Sequence, residues 1–317
     1  MGLPSYYNLL DTARGDFVLN AQSLAAVLAV GNQWFVNEAT GSDSNPGDAV
    51  LPFKTLTAAI AAAVPNNGDI VWLNGSVHLT STLNWNKNGV SLISMESPSN
   101  NGRGRISATG AAAFSPLVNV TGVGCQFIGI GTYHGGFTGA TASQVCWADN
   151  GGRNYYSNVQ FFGGGDATTA ALAGMRSLTI GGSGENLFVG CTIGLDTVVR
   201  ASLANASLEL IAGTARNVMK SCLFQSEVTQ ASDVHILVAA NGMDRYLALQ
   251  GCVFHNFGAT AMTVAISNAG GTPAGNIILD PACISVGAGA IAATGAIYVG
   301  QISAAGGATT GLGVLAT

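Results

Sequence analysis

Four short segments, GCTIGL (190–195), SCLFQS (221–226), GCVFHN (251–256) and ACISVG (282–287), share one pattern. Each has a small residue, then alternating apolar residues, then a turn former, as expected of a strand that ends in a turn. Their cysteines, Cys191, Cys222, Cys252 and Cys283, stand 31, 30 and 31 residues apart. Extended backwards, the same spacing reaches Val159 in NVQFFG (158–163) and Cys125 in GCQFIG (124–129). Five residues before the Cys or Val position lie Asn154, Asn186 and Asn217, in RNYYSNV, ENLFVGC and RNVMKSC. The next repeat, DRYLALQGC, reads as carrying one extra residue and GNIILDPAC as carrying two. Ahead of these positions lies a further apolar run in each period: LVNVTG, QVCWAD, SLTIGG, LELIAG, HILVAA and TVAISN.

A repeat near 30 residues fits helical arrays and solenoids. The apolar runs here are short, alternate with period two and are bounded by Gly and Asn, which excludes amphipathic helices. A single-stranded parallel β-helix meets the pattern, because each coil buries its inner face only by stacking on its neighbours. The reading predicts interior ladders of Cys and of Phe or Ile, and an amide ladder of Asn154, Asn186 and Asn217 at a turn. Arg153, Glu185 and Arg216 share the register just before those asparagines and alternate in sign, which predicts a surface ion ladder between coils.

Composition agrees. The 317 residues include 44 Gly, only 9% are charged and 48% are hydrophobic. Disorder needs low hydrophobicity and high charge; collagen needs a strict Gly triplet; a coiled coil needs heptads. Apolar stretches are broken by polar residues before the roughly 18–20 that a membrane span requires. Net charge is −5 with 11 Lys plus Arg and no basic block, so no nucleic acid partner is expected. The first residues show no charged segment followed by an apolar core, so no Sec-type signal peptide is expected. The six cysteines show no CxxC spacing and read as free thiols.

The front of the chain adds a cap. Trp34–Val64 reads WFVNEATGSDSNPGDAVLPFKTLTAAIAAAV: a strand, a polar loop, then helix formers from Leu56 to Val64 with no breaker until Pro65. Such a helix covers the open edge of a solenoid. The run V-N-x-x-x-G-S-D-S-N-P-G, then P-F-K-T-L and A-A-I, resembles the opening of many right-handed parallel β-helix proteins of the pectin-lyase-like superfamily. It covers residues 34–64, and the coils extend the likeness to about residue 300. The resemblance implies an all-β, right-handed single-stranded parallel β-helix of roughly eight coils, ~40 Å long, with a short N-terminal capping helix. Residues 1–33 form a separate arm or cap, and 34–317 the β-helix domain.

Function is the more open question, since this superfamily includes polysaccharide-degrading enzymes, phage tailspikes and non-enzymatic virion proteins. A glycoside hydrolase needs two carboxylates roughly 5–9 Å apart. The best pair here is Asp196 and Glu227, each five residues after its Cys and so expected to stack on adjacent coils. Asp166 is a further acid to test, and Trp147, Tyr155 and Tyr156 are candidates to stack on sugar rings. His134 matches half of a Gly-His-Gly motif; His78, His235 and His255 fall in unrelated registers and read as structural. Arg14-Gly15-Asp16 matches a cell-adhesion tripeptide at chance level.

The missing charges say more. After Arg245, 72 residues hold one charged residue, Asp280, where the chain average predicts six or seven. Interface cores are depleted of charge, so a covered surface is expected there, from Ala290 to Thr317 in particular. The reading that follows is a non-enzymatic virion structural protein, a capsid decoration or cement protein of a tailed bacteriophage, assembled in the host cytoplasm. Its partners would be further copies of itself, as a trimer, and the major capsid protein or another virion protein. No catalytic, metal or cofactor residue is assigned. The alternative is a phage tailspike or fibre that binds or degrades polysaccharide.

Overall fold

The computed structural model describes residues 31–96, 104–110, 114–137, 144–201, 205–211, 213–267, 275–292, 296–299 and 313–315. The chain winds as a parallel β-helix through three sheets, here I, II and III in the order each coil visits them, of eleven, nine and eight strands. One coil runs Tyr155–Ser157 (sheet I), Gln160–Phe162 (sheet II) and Arg176–Ile180 (sheet III), then re-enters sheet I at Leu187–Val189. The run predicted ahead of each Asn is the sheet III strand, as in Val145–Asp149 and Ala206–Leu210.

Corners set the register. From sheet I to sheet II the chain turns on one left-handed residue: Asn158 (φ 51°), Gly190 (62°), Ser221 (51°) or Gly251 (59°). The next side chain points inward: Val159, Cys191, Cys222 and Cys252, all buried. Each thiol donates to a carbonyl one coil below, Cys191 Sγ to Tyr156 O at 3.6 Å, Cys222 Sγ to Phe188 O at 3.8 Å and Cys252 Sγ to Met219 O at 3.4 Å. Cys283 continues the row with Leu249 O at 3.4 Å.

Cys125 does not belong to that row. It precedes a sheet I strand, Gln126–Ile128, which pairs with Tyr155–Ser157, and Ile130 takes the corner position below Val159. The two corners lie five residues apart in the chain, so a small apolar residue at either gives the same local pattern. Cys125 instead lies on the asparagine row, which runs Val90, Cys125, Asn154, Asn186, Asn217, Leu247, Ile277, all buried. The repeat DRYLALQGC therefore has no insertion, for Leu247 stands where Asn stood, and GNIILDPAC has one extra residue rather than two.

The asparagines form a ladder through backbone, not side chain to side chain. Asn154 Oδ1 accepts from Cys125 N at 2.8 Å, Asn186 Oδ1 from Asn154 N at 2.9 Å and Asn217 Oδ1 from Asn186 N at 3.2 Å. The corner leaves a buried N–H pointing along the stack, and the amide above it supplies the acceptor. A side-chain amide ladder does exist, on the exposed end of sheet III: Asn150 Nδ2 donates to Asn119 Oδ1, and Asn119 Nδ2 to Asn84 Oδ1, both at 3.0 Å.

Side chains repeat along the axis inside. Phe127, Tyr156 and Phe188 stack with ring centroids 5.0 and 4.5 Å apart and planes 11° and 4° from parallel. Phe224 stacks on Phe254 at 4.9 Å on sheet II. Leu178, Leu208, Ile236 and Ile266 line sheet III. In-register parallel strands enforce such stacking, and each buried aromatic removes a large apolar area from water.

At the N-terminal end the capping helix spans Leu56–Ala62, two residues shorter than predicted, because Ala63 is already extended and Pro65 restricts the residue before it. Thr55 Oγ1 caps it by accepting from Ala58 N at 3.1 Å, and Lys87 Nζ donates to Ala61 O and Ala63 O at its far end. Leu56, Ala59 and Ile60 face the core. Asp69, fully buried, ties this cap together: it accepts from Asn32 N, Trp34 Nε1, Val64 N and Asn67 Nδ2 at 2.7–3.1 Å.

Replacing Asn186 by Ala leaves the Asn154 N–H buried without its acceptor and is expected to cost about 1–3 kcal/mol in urea unfolding. Glu185→Ala, next to it but only partly buried and on the outer ion ladder, is expected to leave the urea midpoint almost unchanged; the reverse order would contradict the ladder. Burial alone would raise the Asp69 pKa, but its hydrogen bonds outweigh that and lower it to about 2. Its contribution is thus complete above the unfolded value of 3.8 and lost as pH falls towards 2. Asp69→Asn should flatten the acid limb of the thermal stability profile between those values.

Candidate functional site

The predicted ion ladder is present and lies outside the barrel. Glu185 bridges two coils, with Oε2 at 2.6 Å from Arg153 Nε and Oε1 at 2.6 Å from Arg216 Nη1. All three residues occupy the left-handed region, with φ of 56°, 59° and 48°, so they mark the turn that precedes the asparagine row. Their arrangement is structural.

The predicted carboxylate pair is not assembled. Glu227 has Val199, not Asp196, as its backbone partner, because residues 194–198 loop out after the short strand Thr192–Ile193. Asp196 instead accepts from Gln225 Nε2 at 3.4 Å. Asp166 caps the short helix Ala167–Ala170, accepting from Thr168 N at 2.8 Å. Two of the three aromatic candidates are core: Trp147 and Tyr156 are fully buried. Tyr155 lies on the outer side of sheet I, packed with Ile70, Ile93, Ile128 and Trp72.

What the coils do create is a cleft of about 480 Å³ on the outer face of sheet II. Arg105, Tyr133, Phe162, Thr192, Leu223 and Gln225 form its floor, from successive strands, and Leu195, Asp196 and Thr197 of the looped-out segment form its wall. The Arg105 guanidinium stands over the Tyr133 ring, 6.0 Å from its centroid. Tyr133 OH donates to Gly165 O at 2.8 Å, which fixes the ring. The cleft combines one cation, one carboxylate, one carboxamide and two aromatic rings. That set offers hydrogen bonds to hydroxyls and a face for an apolar ring. Its residues alternate with core positions, so Phe162 follows buried Phe161 and Gln225 follows buried Phe224. Alternation was the signal for them; which outer face would be hollow was not in it.

Towards the last coils the same face becomes apolar. Val253 pairs with Ile284 and His255 with Val286, and Phe257 continues the strand Val253–Asn256. Phe257, Ile284 and Val286 are 53%, 52% and 49% exposed.

Other chemistry-bearing groups are sealed inside. Asp149 occupies an interior position and accepts from Tyr156 OH at 2.8 Å, from Asn154 Nδ2 and from Gly151 N and Gly152 N. Burial pushes its carboxyl above the ordinary range against the effect of those bonds. Arg200 donates to Ser207 Oγ at 3.1 Å, and burial brings its guanidinium down to about 10. Asp233 is raised to about 6 by burial despite nearby Arg200. His235, beside the stacked rings of Phe224 and Phe254, is held neutral by burial. Burial lifts the thiols of Cys125 to about 11 and Cys146 to about 12, so neither is a thiolate at neutral pH. All six cysteines are free and buried. His134 Nε2 donates to Phe114 O, 3.1 Å away, and His78 pairs with Glu38 at 2.9 Å on the surface. Among the described residues no three His, Cys, Asp or Glu side chains are grouped to hold a metal ion, and no helix is long and apolar enough to cross a membrane. The Arg14-Gly15-Asp16 tripeptide, the N-terminal arm up to residue 30 and most of the tail after Ala292 lie outside the described residues.

No family model and no curated protein matches this sequence. Solved structures do. A rhamnogalacturonan lyase aligns over 80% of this chain and 68% of its own, at 16% identity and a TM-score of 0.55. The pectate lyase Pel9A aligns over 79% of this chain at 14% identity and a TM-score of 0.52, and this chain spans 62% of its length. At such identities the likeness concerns the fold: this chain is an all-β parallel β-helix of the kind found in polysaccharide lyases.

Proposed function

We propose that this chain is a non-enzymatic structural subunit of a virion, a capsid decoration protein of a tailed bacteriophage that holds to the shell and to its own copies through neutral surface. One observation carries the reading: Asp280 is the only charged residue among the last 72, and the described part of that stretch exposes Phe257, Ile284 and Val286. Even Asp280 is engaged within the chain, accepting from Gly251 N at 3.0 Å and Ala282 N at 3.1 Å. A surface that must stay in water is normally charged, and a surface that becomes an interface core is not. A β-helix suits the task because its backbone hydrogen bonds run between coils along the whole stack, giving a stiff prism.

The cleft favours a second reading, a tailspike or fibre that binds polysaccharide. Arg105, Asp196 and Gln225 would bond sugar hydroxyls, with Tyr133 or Phe162 against a ring face. The two lyases aligned above act, by their names, on rhamnogalacturonan and pectate, which makes polysaccharide the ligand class to try.

Co-sedimentation with capsid particles separates the readings. The decoration reading expects saturable binding at a fixed number of copies per particle and a trimer by light scattering. A monomer that ignores particles yet binds polysaccharide, and loses that binding in Arg105→Ala, would overturn it in favour of the second.

A further inference from the structure

We infer that the outer face of sheet II over the last coils is a contact surface for a second copy of this chain. This rests on the reading of the chain as an assembly subunit and names the surface that reading needs. The strands involved are Leu223–Val228, Val253–Asn256 and Ile284–Val286, stacked in parallel. Their outward positions form two rows along the axis: Leu223, Val253 and Ile284, and beside them Gln225, His255 and Val286. Phe257 extends the patch, with its ring centroid 3.7 Å from that of His255. Val199, 37% exposed, adds a further aliphatic group on the strand that pairs with Leu223–Val228. Thus four of the eight large apolar side chains exposed among the described residues gather on one face.

The partner follows from charge. The two rows contain no Lys, Arg, Asp or Glu; Glu227 lies in the adjoining column, between Val199 and Phe257, and Asp196 accepts from Gln225 at the cleft end. A charged surface docked over Val253, His255, Ile284 and Val286 would lose its hydration with no counter-charge in those rows to replace it. The partner must therefore be neutral and apolar. This chain's own last coils meet that requirement, with one charged residue in 72. The rows also run parallel to the coil axis, so two identical prisms lying side by side can bring the same rows together over several coils. Such a self-complementary contact is what a closed symmetric oligomer needs.

The test uses the full chain with Ile284→Glu and Val286→Lys, both at exposed positions, and Val50→Glu, exposed but remote, as control. Light scattering over a concentration series is expected to show a wild-type and Val50→Glu oligomer. The two face variants should associate about 30-fold more weakly or worse, a hot-spot-sized loss, with unchanged circular dichroism. Face variants that assemble like wild type would overturn the inference. So would a wild type that stays monomeric, with the face variants lowering its melting temperature, since the face would then be covered by the chain's own terminal segments. Particle binding is scored separately: an oligomer that uses this face but ignores particles leaves the inference standing and removes the decoration reading. Particle binding that survives with unchanged oligomers in the face variants does the opposite.

Discussion

Each coil is hydrogen-bonded to the coil above and the coil below, and that vertical register governs everything else in the molecule. Parallel pairing puts a residue over its equivalent roughly 4.8 Å away, so a side chain that fits one coil must fit beneath its neighbour. Flat rings satisfy this by stacking, as Phe127, Tyr156 and Phe188 do. Small thiols satisfy it at a sharp corner, where Cys191, Cys222, Cys252 and Cys283 each reach a carbonyl one coil down. The corner into sheet I interrupts the strand ladder, and Asn154, Asn186 and Asn217 restore the missing acceptor. Where the row becomes apolar again, at Leu247 and Ile277, the stack continues by packing.

With the backbone committed to the stack, the outer faces are free to differ. Sheet III carries an exposed amide ladder, the turn before sheet I carries an ion ladder, and sheet II grades from a mixed cleft to an apolar strip. Among the described residues, the last of these faces combines exposed apolar groups with the charge-poor end of the chain. The interior polar groups, Asp149, Arg200, Asp233 and His235, are enclosed by the same packing.

The repeat was legible because left-handed corner residues and inward small residues recur at nearly constant spacing. So were the strands of sheets II and III in the repeating coils, the ion ladder and the capping helix. The phase of the first repeat was not: Cys125 and Cys191 share a local pattern, yet they sit on different corners five residues apart, and only the pairing of Gln126 with Tyr155 distinguishes them. Asp196 and Glu227 share an offset from their cysteines, but a loop of variable length intervenes, and equal spacing places residues together only where both coils stay in strand. Trp147 and Tyr156 look like ring-stacking candidates until parity along their strands turns them inward. The cleft depended on the path of residues 194–198, which repeat spacing does not encode.

The claim that the charge-poor coils bear the contacts is most directly tested by amide hydrogen exchange of the chain, compared between dilute solution and its assembled state. The account predicts that added protection appears in the strands Val253–Asn256 and Ile284–Val286. Protection gained instead around Arg105, Tyr133 and Phe162, with none in those last coils, would contradict it.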